Sequence, residues 1–212
     1  MLDYEKNPSK IYAESFATVR REANLERFDQ DIEAIAVRLI HACGMLDIAD
    51  RLVLSPVSGA AGAAALLEGR PVLCDCVMVA AGITRRFLPE KNEVIVTLNE
   101  PTVPERAAAI GNTRSAAAVE LWEPYLEGAV VAIGNAPTAL FHLLEMIGEG
   151  APKPALILGF PVGFVGAAES KDELARYPCG VEVIALKGRQ GGSALASAAV
   201  NALALISSGA NP

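Results

Sequence analysis

Between Asp29 and Gly44 the apolar residues Ile32, Ile35, Ala36, Leu39, Ile40 and Cys43 recur at the spacing of one helix face. Asp29 suits the N-cap of that helix and Gly44 its C-cap. His41 falls opposite the stripe with Ala34, and Arg38 sits one turn earlier on the nearer flank. Upstream, Asn7-Pro8-Ser9 starts a helix in which Ile11, Ser15 and Val19 share a face, with Phe16 beside them.

Beyond Leu52 the pattern shortens to apolar runs, each followed by a turn and a small-residue helix. The predicted strands are Leu52 to Leu54, Val72 to Cys74, Val94 to Leu98, Val130 to Ile133, Ala155 to Leu158 and Val181 to Leu186. Helices are predicted over Gly59 to Glu68, Val77 to Ile83, Pro104 to Ile110, Ser115 to Leu126, Pro137 to Ile147, Ala167 to Ala175 and Ser193 to Ile206. Such alternation predicts an α/β fold, a three-layer α/β/α sandwich with a mostly parallel central sheet.

Ligands of such folds gather at the carboxyl ends of the strands. Here those ends are mostly glycine-rich or small-residue turns opening helices, as in Gly134-Asn135-Ala136-Pro137-Thr138 and Gly188-Arg189-Gln190-Gly191-Gly192-Ser193. Their free N–H groups suit a ligand with several anionic groups. Asp75 and Glu100 stand at strand ends as well, as site carboxylates or as caps of the next segment.

Composition narrows the function classes. With 212 residues, 52% of them hydrophobic, and no long polar linker, one domain over 1–212 is expected. Only the ends, Met1 to Asn7 and Ser207 to Pro212, are expected to fray. A net charge of −7 without a basic run argues against nucleic acid as a partner. Cys43, Cys74, Cys76 and Cys179 show neither CxxC pairing nor a histidine at ligand spacing, so they read as small core residues in a reducing compartment, with no metal site. The longest apolar stretch, near Ala194 to Ile206, is broken by Ser197 and Asn201 and falls short of the roughly 20 residues a membrane span needs. With no signal-peptide pattern at its start, the chain is expected to be soluble and cytoplasmic.

Candidate chemistry centres on His41, one of two histidines. An imidazole titrates near about 6.5, and a helix C-terminus favours its cation, so it can hold or release a proton at neutral pH. The same spacing also fits a solvated surface histidine beside a surface arginine. Ser15 has two readings as well, a hydroxyl returned to its own helix or a donor facing a ligand. His142, inside an apolar helix, reads as structural. No Walker A motif, no GxGxxG opening a helix after a strand and no GxSxG elbow is present.

Four blocks in order are Arg38-Leu39-Ile40-His41-Ala42-Cys43-Gly44, Gly111-Asn112-Thr113-Arg114-Ser115-Ala116-Ala117, Gly134-Asn135-Ala136-Pro137-Thr138-Ala139-Leu140 and Gly159-Phe160-Pro161-Val162-Gly163-Phe164-Val165. Together they resemble the signature blocks of the precorrin-8X methylmutase family of cobalamin biosynthesis, and the likeness runs from about Tyr4 to about Leu205. The segment Cys74-Asp75-Cys76-Val77-Met78 departs from that pattern, and no role is carried over to it.

The resemblance implies a cofactor-free isomerase that moves a methyl group from ring carbon 11 to ring carbon 12 of precorrin-8X, giving hydrogenobyrinate or its cobalt form. It implies that His41 is the general acid/base and that Ser15 and Arg38 contact the corrinoid. The substrate's carboxylates need local cations in an acidic protein, and Arg38 and Arg114 are the favoured ones among Arg85, Arg86, Lys171 and Arg189. A large flat ligand needs a wide shelf, so a homodimer with the pocket near its interface is expected. A corrinoid carrier without turnover is the alternative, and a generic dinucleotide-binding domain a third.

Overall fold

Side chains along a strand point alternately to the two faces of its sheet, and the central apolar runs of this chain fill both. The computed structural model describes Leu2 and residues 4–209. In chain order its elements are α1 (Pro8–Glu22), α2 (Gln30–Cys43), α3 (Ile48–Arg51), β1 (Leu52–Leu54), α4 (Ser58–Leu67), β2 (Val72–Cys74), α5 (Val77–Gly82), β3 (Val94–Ile95), α6 (Val103–Ala109), α7 (Arg114–Glu120), β4 (Val130–Ile133), α8 (Pro137–Gly148), β5 (Leu156–Gly159), α9 (Ala167–Arg176), β6 (Glu182–Leu186) and α10 (Ser193–Ser207). Of the two ends expected to fray, Met1, Asp3 and residues 210–212 lie outside the described residues. Asn7 caps α1 and Ser207 closes α10.

The strands form one sheet in the order β1-β6-β5-β4-β2-β3. All pairings are parallel except β1 with β6. Val130, Ala132, Leu156, Leu158 and Ile184 pack into one core with residues of α2, α4 and α10. Their neighbours Val131, Ile133, Ile157, Val183 and Ala185 pack into the other with α8 and α9. Strands β4 and β5 are buried at every residue, as a sheet covered on both faces requires. These are the three layers expected. Among the described residues no helix is long and apolar enough to cross a membrane.

The differences from expectation lie at the edges. Strand β3 stops at Ile95 rather than Leu98, because it pairs only with β2, and past it Thr97 Oγ1 donates to Ala118 O at 2.7 Å, tying the chain to α7. The helix expected over Ser115 to Leu126 ends at Glu120 and resumes as a single 3-10 turn over Glu123–Tyr125. Pro124, which lacks an N–H and disfavours helical backbone before it, explains the break. Strand β1 lies at the edge of the sheet and runs antiparallel to β6, with Leu52 opposite Leu186 and Leu54 opposite Ile184.

One buried cation marks the junction of α9 with the 188–192 loop. Lys171 is 1% exposed and its Nζ donates to Gln190 O, while Arg51 donates to the Gln190 side chain and pairs with Asp47 at 2.8 Å. Burial, and after it the Arg51 charge, push the Lys171 pKa down to about 8. The folded state therefore binds fewer protons than the unfolded chain between about pH 8 and the usual lysine range, so stability rises with pH there. The expected gain is roughly 2 kcal/mol from about pH 8 to about pH 10, seen as the difference between wild-type and Lys171→Met denaturation curves. Parallel pH dependences in the two proteins would refute it.

Candidate active site

Local rules build the helix that carries His41. The Asp29 side chain accepts the Ile32 N–H at 2.9 Å, and Gly44 ends α2 in a left-handed conformation, φ 71° and ψ 20°, donating to Ile40 O at 2.7 Å. Ile32, Ile35, Ala36, Leu39 and Ile40 are buried in the core. The opposite side is not left free, because α1 packs across α2 and Ala34 is only 5% exposed. His41, in the last turn of α2, is exposed.

Helix α1 meets the imidazole with three side chains. Ser15 Oγ lies 2.8 Å from His41 Nδ1. Among the described residues that hydroxyl bonds to the imidazole and to no carbonyl of its own helix. The Tyr12 ring lies 5.6 Å from the imidazole, and Phe16 meets it edge-on at 5.1 Å. The Arg38 guanidinium stands over Phe16, 5.4 Å from its centroid, half-buried. Its Nε is buried without a hydrogen-bond partner. Burial lowers the Arg38 pKa, opposed by Tyr12, and no carboxylate pairs with it among the described residues.

Two cavities meet at His41. The larger, about 1040 Å³, lies between α1, α2, α5 and α10 and is lined by Arg20, Arg38 and Arg86 and by no Asp or Glu. Tyr12, Thr84 and Asn201 also face it. Asn201 accepts the Thr84 N–H at 2.8 Å and donates to Gly82 O at 3.0 Å, clamping the corner after α5 to α10. Glycine is needed at that corner, since a Cβ on Gly82 would lie 2.4 Å from Ser197 Oγ. The smaller cavity, about 560 Å³, is lined by Glu5, Glu14, Ser15, Thr18, Glu22 and His41 among others. Helix α1 is the wall between them.

A sequence model described as precorrin-8X methylmutase matches residues 10–206. The chain belongs to the precorrin-8X methylmutase family. It is 62% identical over 204 residues to the precorrin-8X methylmutase of Pseudomonas aeruginosa, covering 96% of this chain and 98% of that one. With the precorrin-8X methylmutase of a Sinorhizobium species it shares 56% identity over 95% of this chain and 96% of the other. A crystal structure of the precorrin-8X methylmutase from Thermus thermophilus superposes with a TM-score of 0.86 at 38% identity, covering 96% and 98% of the two chains.

The candidate site residues are not all brought together. His41, Ser15 and Arg38 meet as described. Arg114 stands elsewhere, at the start of α7, exposed, donating to Leu98 O at 3.2 Å and lining neither cavity. Arg86 lines the larger cavity and Arg85 does not, while Arg189 stacks on Phe164 at 5.6 Å. Glu100 is exposed. His142 lies 3.3 Å from both Glu120 and Glu145, bridging α7 and α8.

Asp75 has a structural task that strand-end position alone left open. It is 3% exposed, and its carboxylate accepts N–H bonds from Gly134 at 3.0 Å, Asn135 at 2.9 Å and Ala136 at 2.8 Å. Burial pushes its pKa up, against the three donors. All four cysteines are free, with Cys74 and Cys76 buried. Among the described residues no group of His, Cys, Asp and Glu forms a metal-ligand set. Tyr12, Thr84, Arg86 and Asn201 were the cavity residues that spacing missed or left open. Tyr12 and Phe16 lie four apart on α1, and that spacing could have paired them, but the residues they face come from other helices.

Proposed function

We propose that this chain isomerises precorrin-8X to hydrogenobyrinate, moving the methyl group from ring carbon 11 to ring carbon 12. The observation that carries the reading is a cavity lined by three arginines and no carboxylate, in a chain of net charge −7, with an imidazole at its edge. Acetate and propionate groups around the corrinoid take the positive lining, and its size suits a large ligand. Arg38, with a buried donor unused, is the first partner for one of those carboxylates.

A methyl shift between adjacent ring carbons moves no hydride and no phosphoryl group. It needs a change in the electron distribution of the conjugated ring. A proton, or a strong hydrogen bond, from His41 makes the receiving carbon more electrophilic, and a 1,5-sigmatropic migration then restores a conjugated path. General acid catalysis of this kind contributes about a hundredfold to ten-thousandfold. The rest comes from holding the macrocycle in a reactive shape against Tyr12 and the α10 wall. The reading includes one domain over 1–212, a cytoplasmic setting and a homodimer with the cavity near its interface. Tyr12 and Met78 support the dimer, since both line the cavity yet remain exposed.

Purified protein mixed with precorrin-8X is expected to convert its absorption spectrum to that of hydrogenobyrinate. Binding with no spectral change identifies a corrinoid carrier and sinks the isomerase reading. Arg38→Gln is expected to raise KM by about tenfold or more, the worth of one charge-assisted bond to a carboxylate, with a smaller effect on kcat. An unchanged KM removes Arg38 from substrate binding.

A further inference from the structure

The three arginines that line the larger cavity are not equally free to take a ligand. Arg20 Nε donates to Glu33 at 3.0 Å, so a carboxylate from outside must compete with one already in place. Arg86, among the described residues, makes no ion pair and no hydrogen bond. It stands in a 3-10 turn, Arg85–Phe87, that follows α5. That turn is firmly held. Phe87 N–H donates to Thr84 O at 2.8 Å and Leu88 N–H to Arg85 O at 3.2 Å, while Asn201 of α10 accepts the Thr84 N–H and Phe87 and Leu88 pack against the core. At three residues per turn, consecutive side chains leave in different directions, and Arg86 faces the cavity while Arg85 does not. The Arg86 guanidinium lies over the Phe87 ring, 5.4 Å from its centroid, which limits its freedom before any ligand arrives.

We propose that Arg86 is a specificity-determining residue: it holds one carboxylate of the corrinoid, separately from Arg38, and so selects a free acid over an amide at that position. This rests on the isomerase reading and names a second anchor within the same cavity. A guanidinium carries only donors, in a planar fork that matches the two oxygens of a carboxylate. A primary amide offers that fork one oxygen and no charge, and its NH₂ group sets donor against donor. Arg86 is exposed and therefore open to a ligand that enters the cavity. A flat macrocycle lying over it excludes water and strengthens the pair. Arg38 comes to the cavity from α2 and Arg86 from the turn after α5, so two carboxylates of one ligand can be held from different elements of the fold.

Arg85→Gln removes the same charge from the neighbouring position and serves as the control. With precorrin-8X, Arg86→Gln is expected to raise KM by about tenfold with kcat within about twofold, and Arg85→Gln to leave both within about twofold. Absorbance titrations with hydrogenobyrinate, and with hydrogenobyrinate whose carboxylates have been converted to primary amides, read the selection directly. The wild type and Arg85→Gln should prefer the acid by the same factor, and Arg86→Gln by a factor about tenfold smaller. An unchanged KM in Arg86→Gln overturns the proposal. So does an equal rise in Arg85→Gln, the result expected of net charge alone, and so does an acid-to-amide preference that Arg86→Gln leaves intact. A wild type that binds the corrinoid and converts none of it overturns the isomerase reading, and the titrations then show separately whether Arg86 selects the acid.

Discussion

His41→Asn is expected to lower kcat for precorrin-8X by about a hundredfold to ten-thousandfold, the usual contribution of a general acid, or roughly 3 to 5 kcal/mol of barrier. Binding should survive, because the arginines that meet the carboxylates are untouched. A titration followed by absorbance should give a Kd close to that of the wild type, with the bound pigment unconverted. Folding should survive as well. The imidazole is exposed, and exposed substitutions away from caps and buried networks stay within about 0.5 kcal/mol. A variant that binds and still turns over within tenfold of the wild type would place the proton donor elsewhere. His41 lines both cavities, so shortening it to a methyl group would also open the space between them. Asparagine, which keeps a polar side chain at the shared wall, is therefore a cleaner test than alanine.

The largest effect on stability is expected at Asp75→Asn, about 2 to 4 kcal/mol. In the wild type Oδ1 accepts one backbone N–H and Oδ2 accepts two. An amide has one acceptor oxygen, so its NH₂ group must face at least one of those donors, with neither able to accept from the other. Each buried donor left unsatisfied costs about 1 to 3 kcal/mol. The damage should be local as well as global, because these bonds hold the end of β4 to the end of β2 just before α8 begins. Denaturant titration measures the loss, and hydrogen exchange at Gly134, Asn135 and Ala136 should quicken beyond that of the β4 interior. A loss under about 1 kcal/mol would mean that the loop is shaped by the glycine and the proline beside it rather than by the carboxylate.

Much of the scaffold was legible because its signals are local. Asp29, the apolar stripe and Gly44 lie within one helix, and each acts on backbone groups a few residues away. The strands could be placed because parallel strands covered on both faces must be apolar at consecutive positions, as at Val130–Ile133. One miss came where a partner distant in the chain decided, the other where a local signal was passed over. Strand β1 is short and apolar like its neighbours, and nothing in Leu52-Val53-Leu54 announces that it pairs antiparallel with β6. The expected helix over Ser115 to Leu126 followed its apolar content past Pro124, which breaks it.

The site divides in the same way. That His41 turns away from the hydrophobic interior follows from helical periodicity, and its last-turn position beside Gly44 follows from capping. What lies on that side does not follow. The Ser15 hydroxyl, the Tyr12 ring and the imidazole meet because α1 packs across α2, a contact between residues 26 apart for Ser15 and His41. The same docking sets Phe16 under the Arg38 guanidinium, and it places one face of α1 on the cavity lined by arginines and the other on the cavity lined by glutamates. Arg114 has the same charge as Arg38 but stands in another block of the chain, and the path through β3 and α7 leaves it apart. Local spacing acts through bonds within a few residues and so determined the elements and the direction each side chain takes. Which side chains meet depends on the angle and depth at which whole helices pack, and that was decided only by the tertiary fold.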